Sequence, residues 1–305
     1  MPLHPELEQA FQFYRAQRAA PPAVFAHSSG RIPAVTFFGL DSLRRHLSNP
    51  LLTPDWLTLF ANGNALSLET AAMEKRVQNK PLKFMDKTVI DGHLARGGAL
   101  VLEGLDILEP PINDFVASID AALPCSLSNC VAFLSQQGGE AYRGHSDCDD
   151  VLVIQIEGRK RWHIYAPQVR RYVGNVMDER ALGPRVAEVM MEPGDVLYVR
   201  AGVPHRCDTA SQYSLHLSFD LVDLTPNVQR ISRDANARYF RHCAPAYATP
   251  AAVIEHYIAL MNSSEFQQEL AQTTAQLRRD AIDLRKQIGK ASRLTALDRF
   301  VPSKK

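Results

Sequence analysis

At 305 residues, with 46% hydrophobic residues and a formal net charge of +1, the chain can form one large domain, or a domain with appendages, around a real core. A charge so close to balance gives no global field for direct nucleic-acid binding or for an acidic membrane surface, and no run of about 18 apolar residues is present to span a bilayer. The five cysteines (125, 130, 148, 207 and 243) form no Cys-x-x-Cys pair, and residues 1–6 lack the basic-then-apolar pattern of a signal peptide, so a cytoplasmic protein with reduced thiols is expected.

The first predicted element is a helix over residues 5–18, where Leu7, Ala10, Phe11 and Tyr14 recur at helical spacing before the break at Pro21-Pro22. Residues 23–100 mix short apolar runs with turns. Within them 41–47 reads as a short helix, and 83–85 and 98–102 read as strands. Pro110 and Pro111 then introduce a helix over 112–123. From 125 to about 222 the texture changes. Short strands are expected at 126–135, 151–156, 162–166, 186–191, 196–199 and 214–222, separated by Gly, Pro and Asp turns such as Glu157-Gly158. Such a run fits an antiparallel sandwich or jelly roll. Glu192-Pro193-Gly194-Asp195 marks a hairpin or corner, because glycine accepts the positive φ needed there. After 225 the period is helical again, with helices expected over 228–240, 250–261 and 264–293. The last carries Leu270, Leu277 and Leu284 seven residues apart. That seam either packs on the flank of the sheet or joins two copies into a homodimer.

The chemistry-bearing stretch is 143–165, which opens on His145-Ser146-Asp147 and runs into the apolar segment from Val151. On a strand, residues two apart share a face, so this imidazole and carboxylate could grip one metal ion from one side. His205, beyond the 192–195 turn, is the best third ligand. Two imidazoles and one carboxylate leave part of a metal's coordination sphere open, which suits non-haem Fe(II); a structural zinc site would be closed by four ligands. Cys207, at an even offset from His205, is a rival fourth ligand, whereas the odd offset of Cys148 from Asp147 turns it away. The strand 213–219 alternates Ser214, His216 and Ser218 with Leu215, Leu217 and Phe219, as a strand does when one face lines a wet cavity and the other the core. His216 could equally be a hydrogen-bonded core histidine, and Trp162 reads as core.

The segment from His145-Ser146-Asp147 through Gln155-Ile156-Glu157-Gly158-Arg159-Lys160-Arg161-Trp162, followed by Glu192-Pro193-Gly194-Asp195-Val196-Leu197-Tyr198 and His205, resembles the JmjC oxygenases, in particular the cupin-like branch with the ribosomal protein hydroxylases. The resemblance covers roughly residues 80–222. It implies a mainly β core, a double-stranded β-helix of the jelly-roll or cupin type, with flanking N- and C-terminal helices. Residues 1–222 would be the oxygenase domain and 223–305 a helical region open to a dimerising role. It further implies Fe(II) held by His145, Asp147 and His205, and 2-oxoglutarate bound through Lys160, with Ser218, His216, Asn129 and Tyr142 as pocket candidates. Taken alone, Lys160 would read as one solvated charge in the run 159–161; the spacing in the family selects it.

The activity so implied is hydroxylation of a C–H bond in a peptide, protein or amino-acid-like substrate, using O2 and yielding succinate and CO2. Two rivals stay open from the residues: a metal-dependent cupin enzyme without 2-oxoglutarate, and a non-catalytic peptide-binding module. The residues after 222 are too few to provide an obvious winged-helix module beside the helices, so the substrate is left open.

Overall fold

The computed structural model describes residues 3–22, 24–68, 71–122, 128–139, 141–167, 179–221, 233 and 249–291. Helix α1 (Pro5–Ala19) starts with a proline at its first position, where the missing N–H is not needed, and carries Glu6 and Glu8 in its first turn and Arg18 in its last, matching the helix dipole. It is followed by β1 (Phe25–Ser28), α2 (Leu40–Leu47), β2 (Leu57–Ala61) and β3 (Asn64–Ala65). A hairpin, β4 (Ala72–Val77) with β5 (Lys80–Met85), stands apart as its own two-stranded sheet. Then come α3 (Lys87–Ala95), β6 (Ala99–Leu102), α4 (Leu105–Leu108) and α5 (Pro110–Ala122).

The jelly-roll strands are β7 (Asn129–Gln136), β8 (Asp150–Tyr165), β9 (Arg185–Met191), β10 (Val196–Val199) and β11 (His205–Leu221), and α6 (Pro250–Asn262) and α7 (Ser264–Ala291) end the described chain. Strands pair in the order β1-β10-β8-β11-β7-β6-β2-β3, with β9 also on β8, and every pairing is antiparallel. This is the predicted jelly roll.

Two strands are longer than predicted. Residues 151–156 and 162–166 belong to the single strand β8, and the strand expected at 214–222 begins at His205 and ends at Leu221. Glu157-Gly158 does not turn the chain back. Gly158, at φ 65°, bends β8 while the ladder to β11 slips between Thr209 and Ser214. The first half of β8 therefore pairs with β10 and the second half with β9, and β11 follows β8 through both layers. The 192–195 turn is a corner, since β9 and β10 both pair with β8. Gly194 has φ 89°, and buried Asp195 accepts hydrogen bonds from Gly30 N at 2.7 Å and Glu192 N at 2.9 Å, with His27 Nε2 at 3.2 Å.

β8 is buried on both faces, and its residues alternate between two cores. Leu152, Ile154 and Ile156 face the main cluster with Leu7 and Tyr14 of α1 and Ile112, Phe115 and Ile119 of α5. Val151 and Val153 face a second cluster with Trp162, Ile164, Val189 and Leu197 inside the roll. Burying apolar surface on both sides, at roughly 25 cal/mol per Å2, is what makes the strand a near-continuous apolar run.

The C-terminal helix is anchored by a charge. Arg285 of α7 is buried and donates to Asp106 at 2.6 Å, to Asp120 at 3.3 Å and to the Ser128 carbonyl. Of the predicted leucine seam, Leu270 packs against Phe266, Leu284 is exposed, and the Leu277 side chain lies outside the described residues. The helix predicted over 228–240 also lies outside them. No helix among the described residues is long and apolar enough to cross a membrane.

Candidate metal centre

The segment before β8 and the start of β11 bring the predicted ligands together. His145 and His205 face each other in an isolated antiparallel bridge, with His145 N donating to His205 O at 3.0 Å and His205 N to His145 O at 2.8 Å. Residues so paired project to one side, and the two ring centroids are 4.5 Å apart. The Asp147 carbonyl accepts from Gly202 N at 2.8 Å, which fixes the loop. Its carboxylate reaches both rings, with Oδ1 3.6 Å from His145 Nε2 and Oδ2 3.6 Å from His205 Nε2. One ligand atom from each residue lies within 4.8 Å of the others. The regular strand expected to carry His145 and Asp147 is absent. β8 starts only at Asp150, and the backbone bridge to His205 aims these side chains in place of strand alternation.

Both Nδ1 atoms are committed to the backbone. His145 Nδ1 donates to Arg143 O at 2.7 Å and His205 Nδ1 to Val203 O at 3.1 Å, which presents each Nε2 to a metal. Burial and the neighbouring His145 push the His205 pKa down to about 4, against the pull of Asp147 and the Val203 carbonyl. The His205 imidazole is therefore neutral at physiological pH, as a metal ligand must be. Cys207 is not part of the converging group, and burial raises its thiol to about 12 in spite of Lys160.

The triad sits in the wall of a cavity of about 390 Å3. Lys160, His216, Ser218 and Tyr142 line it, as does exposed Cys148; Asn129 does not, and lies at the start of β7 opposite Asp220 of β11. Lys160 is 4% exposed, and its Nζ donates to Ser135 Oγ at 2.5 Å and Thr209 Oγ1 at 3.3 Å. His216 is buried and stacked on Phe133, with centroids 4.8 Å apart and planes 6° from parallel. Burial and then the Lys160 charge hold its pKa well below the usual value.

Among the described residues, His216 Nδ1 and Trp162 Nε1 are buried without a hydrogen-bond partner. A buried ammonium and two orphaned ring nitrogens around one cavity match a small polyoxygen anion, because buried polar groups in native proteins are normally answered. Trp162 is therefore more than the core residue expected. Ser135, Thr209, Glu103 and Asp220 also escaped the sequence reading. Asp220 could have been found by continuing the alternation of His216 and Ser218 two residues further, whereas Glu103 and Ser135 join the site only through strand pairing.

A jelly roll with two imidazoles and one carboxylate converging in the wall of a cavity is a cupin-type fold with a group able to hold a metal ion. Residues 108–231 match the model of the JmjC domain family. Ribosomal oxygenase 2 of Rattus norvegicus is 32% identical over 108 residues, which are 33% of this chain and 23% of that protein. The bifunctional lysine-specific demethylase and histidyl-hydroxylase NO66 of Drosophila melanogaster is 33% identical over 95 residues, 29% of this chain and 14% of that protein. The chain thus spans less than a quarter of the curated relatives it matches. Among solved structures, Escherichia coli YcfD aligns over 84% of this chain and 70% of its own with a TM-score of 0.53 at 14% identity. YcfD described as a ribosomal oxygenase in complex with cobalt and 2-oxoglutarate aligns over 86% and 70%, with a TM-score of 0.51 at 14% identity. At that identity the likeness is one of fold.

Proposed function

We propose that the protein is an Fe(II)- and 2-oxoglutarate-dependent oxygenase that hydroxylates a C–H bond of a peptide, protein or amino-acid-like substrate, releasing succinate and CO2. The observation that carries this is the open-sided group His145, Asp147 and His205 in a cavity that also contains a buried lysine. These three residues would hold the iron, and Lys160 would receive the far carboxylate of 2-oxoglutarate. Iron and 2-oxoglutarate together supply O2 activation and the transfer of one oxygen atom to carbon. The chain supplies positioning. Ser135 and Thr209 fix the Lys160 ammonium, the Val203 carbonyl fixes the His205 tautomer, and Val101, Val131, Phe133 and Val151 keep water from the cavity wall.

The names of the relatives favour a protein side chain, in a ribosomal or another protein, over a free amino acid. Residues 1–222 would be the oxygenase unit. The helical region 223–305, with Ile254, Ile258 and Leu284 exposed, would join two copies, and the protein would act in the cytoplasm. Purified protein with Fe(II), 2-oxoglutarate and ascorbate should convert 2-oxoglutarate to succinate and add one oxygen atom to a substrate, read by mass spectrometry. His145→Ala should lose the metal. Metal-loaded protein that neither binds nor turns over 2-oxoglutarate overturns the proposal.

A further inference from the structure

Two of the three candidate ligands take their orientation from one short turn. His205 Nδ1 donates to the Val203 carbonyl, and the Asp147 carbonyl accepts from Gly202 N. Gly202 and Val203 both belong to residues 200–204, which join β10 to β11. Within the turn Gly202 stands at φ 77°, and Val203 N donates to Arg200 O at 3.1 Å. Whatever holds this turn therefore acts on the metal group without entering the cavity.

Asp150, the first residue of β8, holds it. Its Oδ1 accepts from Ala201 N at 2.8 Å, and Ala201 directly precedes the Gly202 whose amide Asp147 receives. Two consecutive amides of the turn are thus answered from the segment 147–150, one by a carbonyl and one by a carboxylate. The other carboxylate oxygen faces the N-terminal helix. Oδ2 accepts from Arg18 Nη1, in the last turn of α1, at 3.1 Å, and from the Tyr198 hydroxyl of β10. Tyr198 is fully buried, with its ring 6.4 Å from that of Tyr14 of α1. Burial, and then the bond to Asp150, push its phenol well above the usual pKa, so it stays a donor.

The two oxygens have different work. An ion pair that only fastened α1 would need Oδ2 alone, and the Arg18 side chain is 39% exposed, so solvent leaves that pair little weight in stability. The bond from Oδ1 to Ala201 N is charge-assisted and lies next to the ligands. Groups that orient metal ligands from outside govern metal affinity even though they never touch the ion. Asp150, Arg18, Tyr198 and Ala201 are all outside the cavity lining, so the Asp150 carboxylate reaches the metal group only through the turn.

We infer that Asp150 is a positioning residue of the metal centre, whose Oδ1 holds Ala201 N and so sets the turn that aims His205 and seats Asp147. This rests on the reading of residues 145, 147 and 205 as the metal ligands. The test is calorimetric titration of Mn(II) into the metal-free full chain, with Tm recorded for each variant. Asp150→Ala should raise the Mn(II) Kd about 10- to 100-fold. Asp150→Asn keeps an oxygen for Ala201 N and should restore the Kd to within about threefold of the native value, although its ion pair with Arg18 is gone. Arg18→Met should also stay within about threefold, whatever it does to Tm. A merely structural role makes metal affinity follow Tm; a positioning role makes it follow the acceptor at residue 150. Should Asp150→Ala not fold, Asp150→Leu with Arg18→Met fills the space, strands no cation and should show the same loss of Mn(II). The inference is overturned if the variant lacking the acceptor binds Mn(II) as the native chain does, if Asp150→Asn binds no better than that variant, or if Arg18→Met alone loses as much. Mn(II) binding by the unsubstituted chain is measured first. Its absence sinks the metal-centre reading, whereas its presence with no effect at residue 150 sinks only this inference.

Discussion

Replacing Lys160 with methionine separates 2-oxoglutarate binding from folding. The ammonium is almost wholly buried and bonds to the Ser135 and Thr209 hydroxyls. Those two oxygens lie 2.8 Å apart, so they keep each other as partners when the lysine is gone. Methionine fills a similar volume without a buried charge, so the fold should lose little. What disappears is a charge-assisted bond to a carboxylate inside a water-poor cavity, which is worth about 2–4 kcal/mol. The 2-oxoglutarate Kd should therefore rise about 30- to 900-fold, with Mn(II) affinity unchanged. Lys160→Arg should recover only part of the loss, because the wider planar fork does not fit a pocket cut for one ammonium. Calorimetric titration of 2-oxoglutarate into Mn(II)-loaded protein without O2 reads the effect directly. A Kd within threefold of the native value, with the metal still bound, would refute Lys160 as the anchor and would favour a cupin enzyme that works without 2-oxoglutarate.

Three further outcomes follow from the packing and the charges. Asp220 has a folded pKa raised to about 7 by burial and then by Asp147, Glu103 and Asp149, so its contribution to stability is complete below about 4 and is lost as pH rises through 7. Asp220→Asn should accordingly raise the Tm of metal-free protein at pH 8.5 by a few degrees and leave it nearly unchanged at pH 4; an equal shift at both would show that the carboxylate is not strained. Arg285→Met strands Asp106 and Asp120 in the interior and should cost about 3–5 kcal/mol, a fall in Tm on the order of 10 °C, partly recovered by adding Asp106→Asn and Asp120→Asn. Gly158→Ala puts a Cβ into the Tyr213 carbonyl at a positive φ; it should destabilise by about 1–3 kcal/mol in denaturant titration and weaken 2-oxoglutarate binding, because the bend it supports carries Lys160.

The jelly roll and its candidate ligands were legible because both write themselves into short stretches of chain. Apolar alternation marked β9 and β10 almost to the residue, and the turn chemistry of 192–195 marked the corner. Where a strand keeps running through a bend, local reasoning breaks it, as at Glu157-Gly158, because a glycine at positive φ reads alike whether it reverses a chain or kinks it. The partner strand β4 and helix α3 went unread, since 72–77 is polar and exposed and carries no buried stripe to reveal a period. The long helix was legible as a helix, but its attachment was not. Its leucines suggested an apolar seam, while the residue that ties it to the roll is Arg285, whose acidic partners on α4 and α5 are remote in sequence.

The same distinction divides the site. His145 and Asp147 are near neighbours, and His205 follows a recognisable turn, so a local pattern suffices to propose them together. Glu103, Ser135, Thr209 and Asp220 acquire meaning only from the register β6-β7-β11 and from the slip that lets β11 follow the bend in β8. A one-residue shift of that register would turn Asp220 and His216 into the apolar core and bring Phe219 and Leu217 to the cavity. The ladder that closes the roll therefore also fixes which polar side chains face the cavity, so the polarity of the cavity wall and the stability of the fold are set by the same backbone hydrogen bonds.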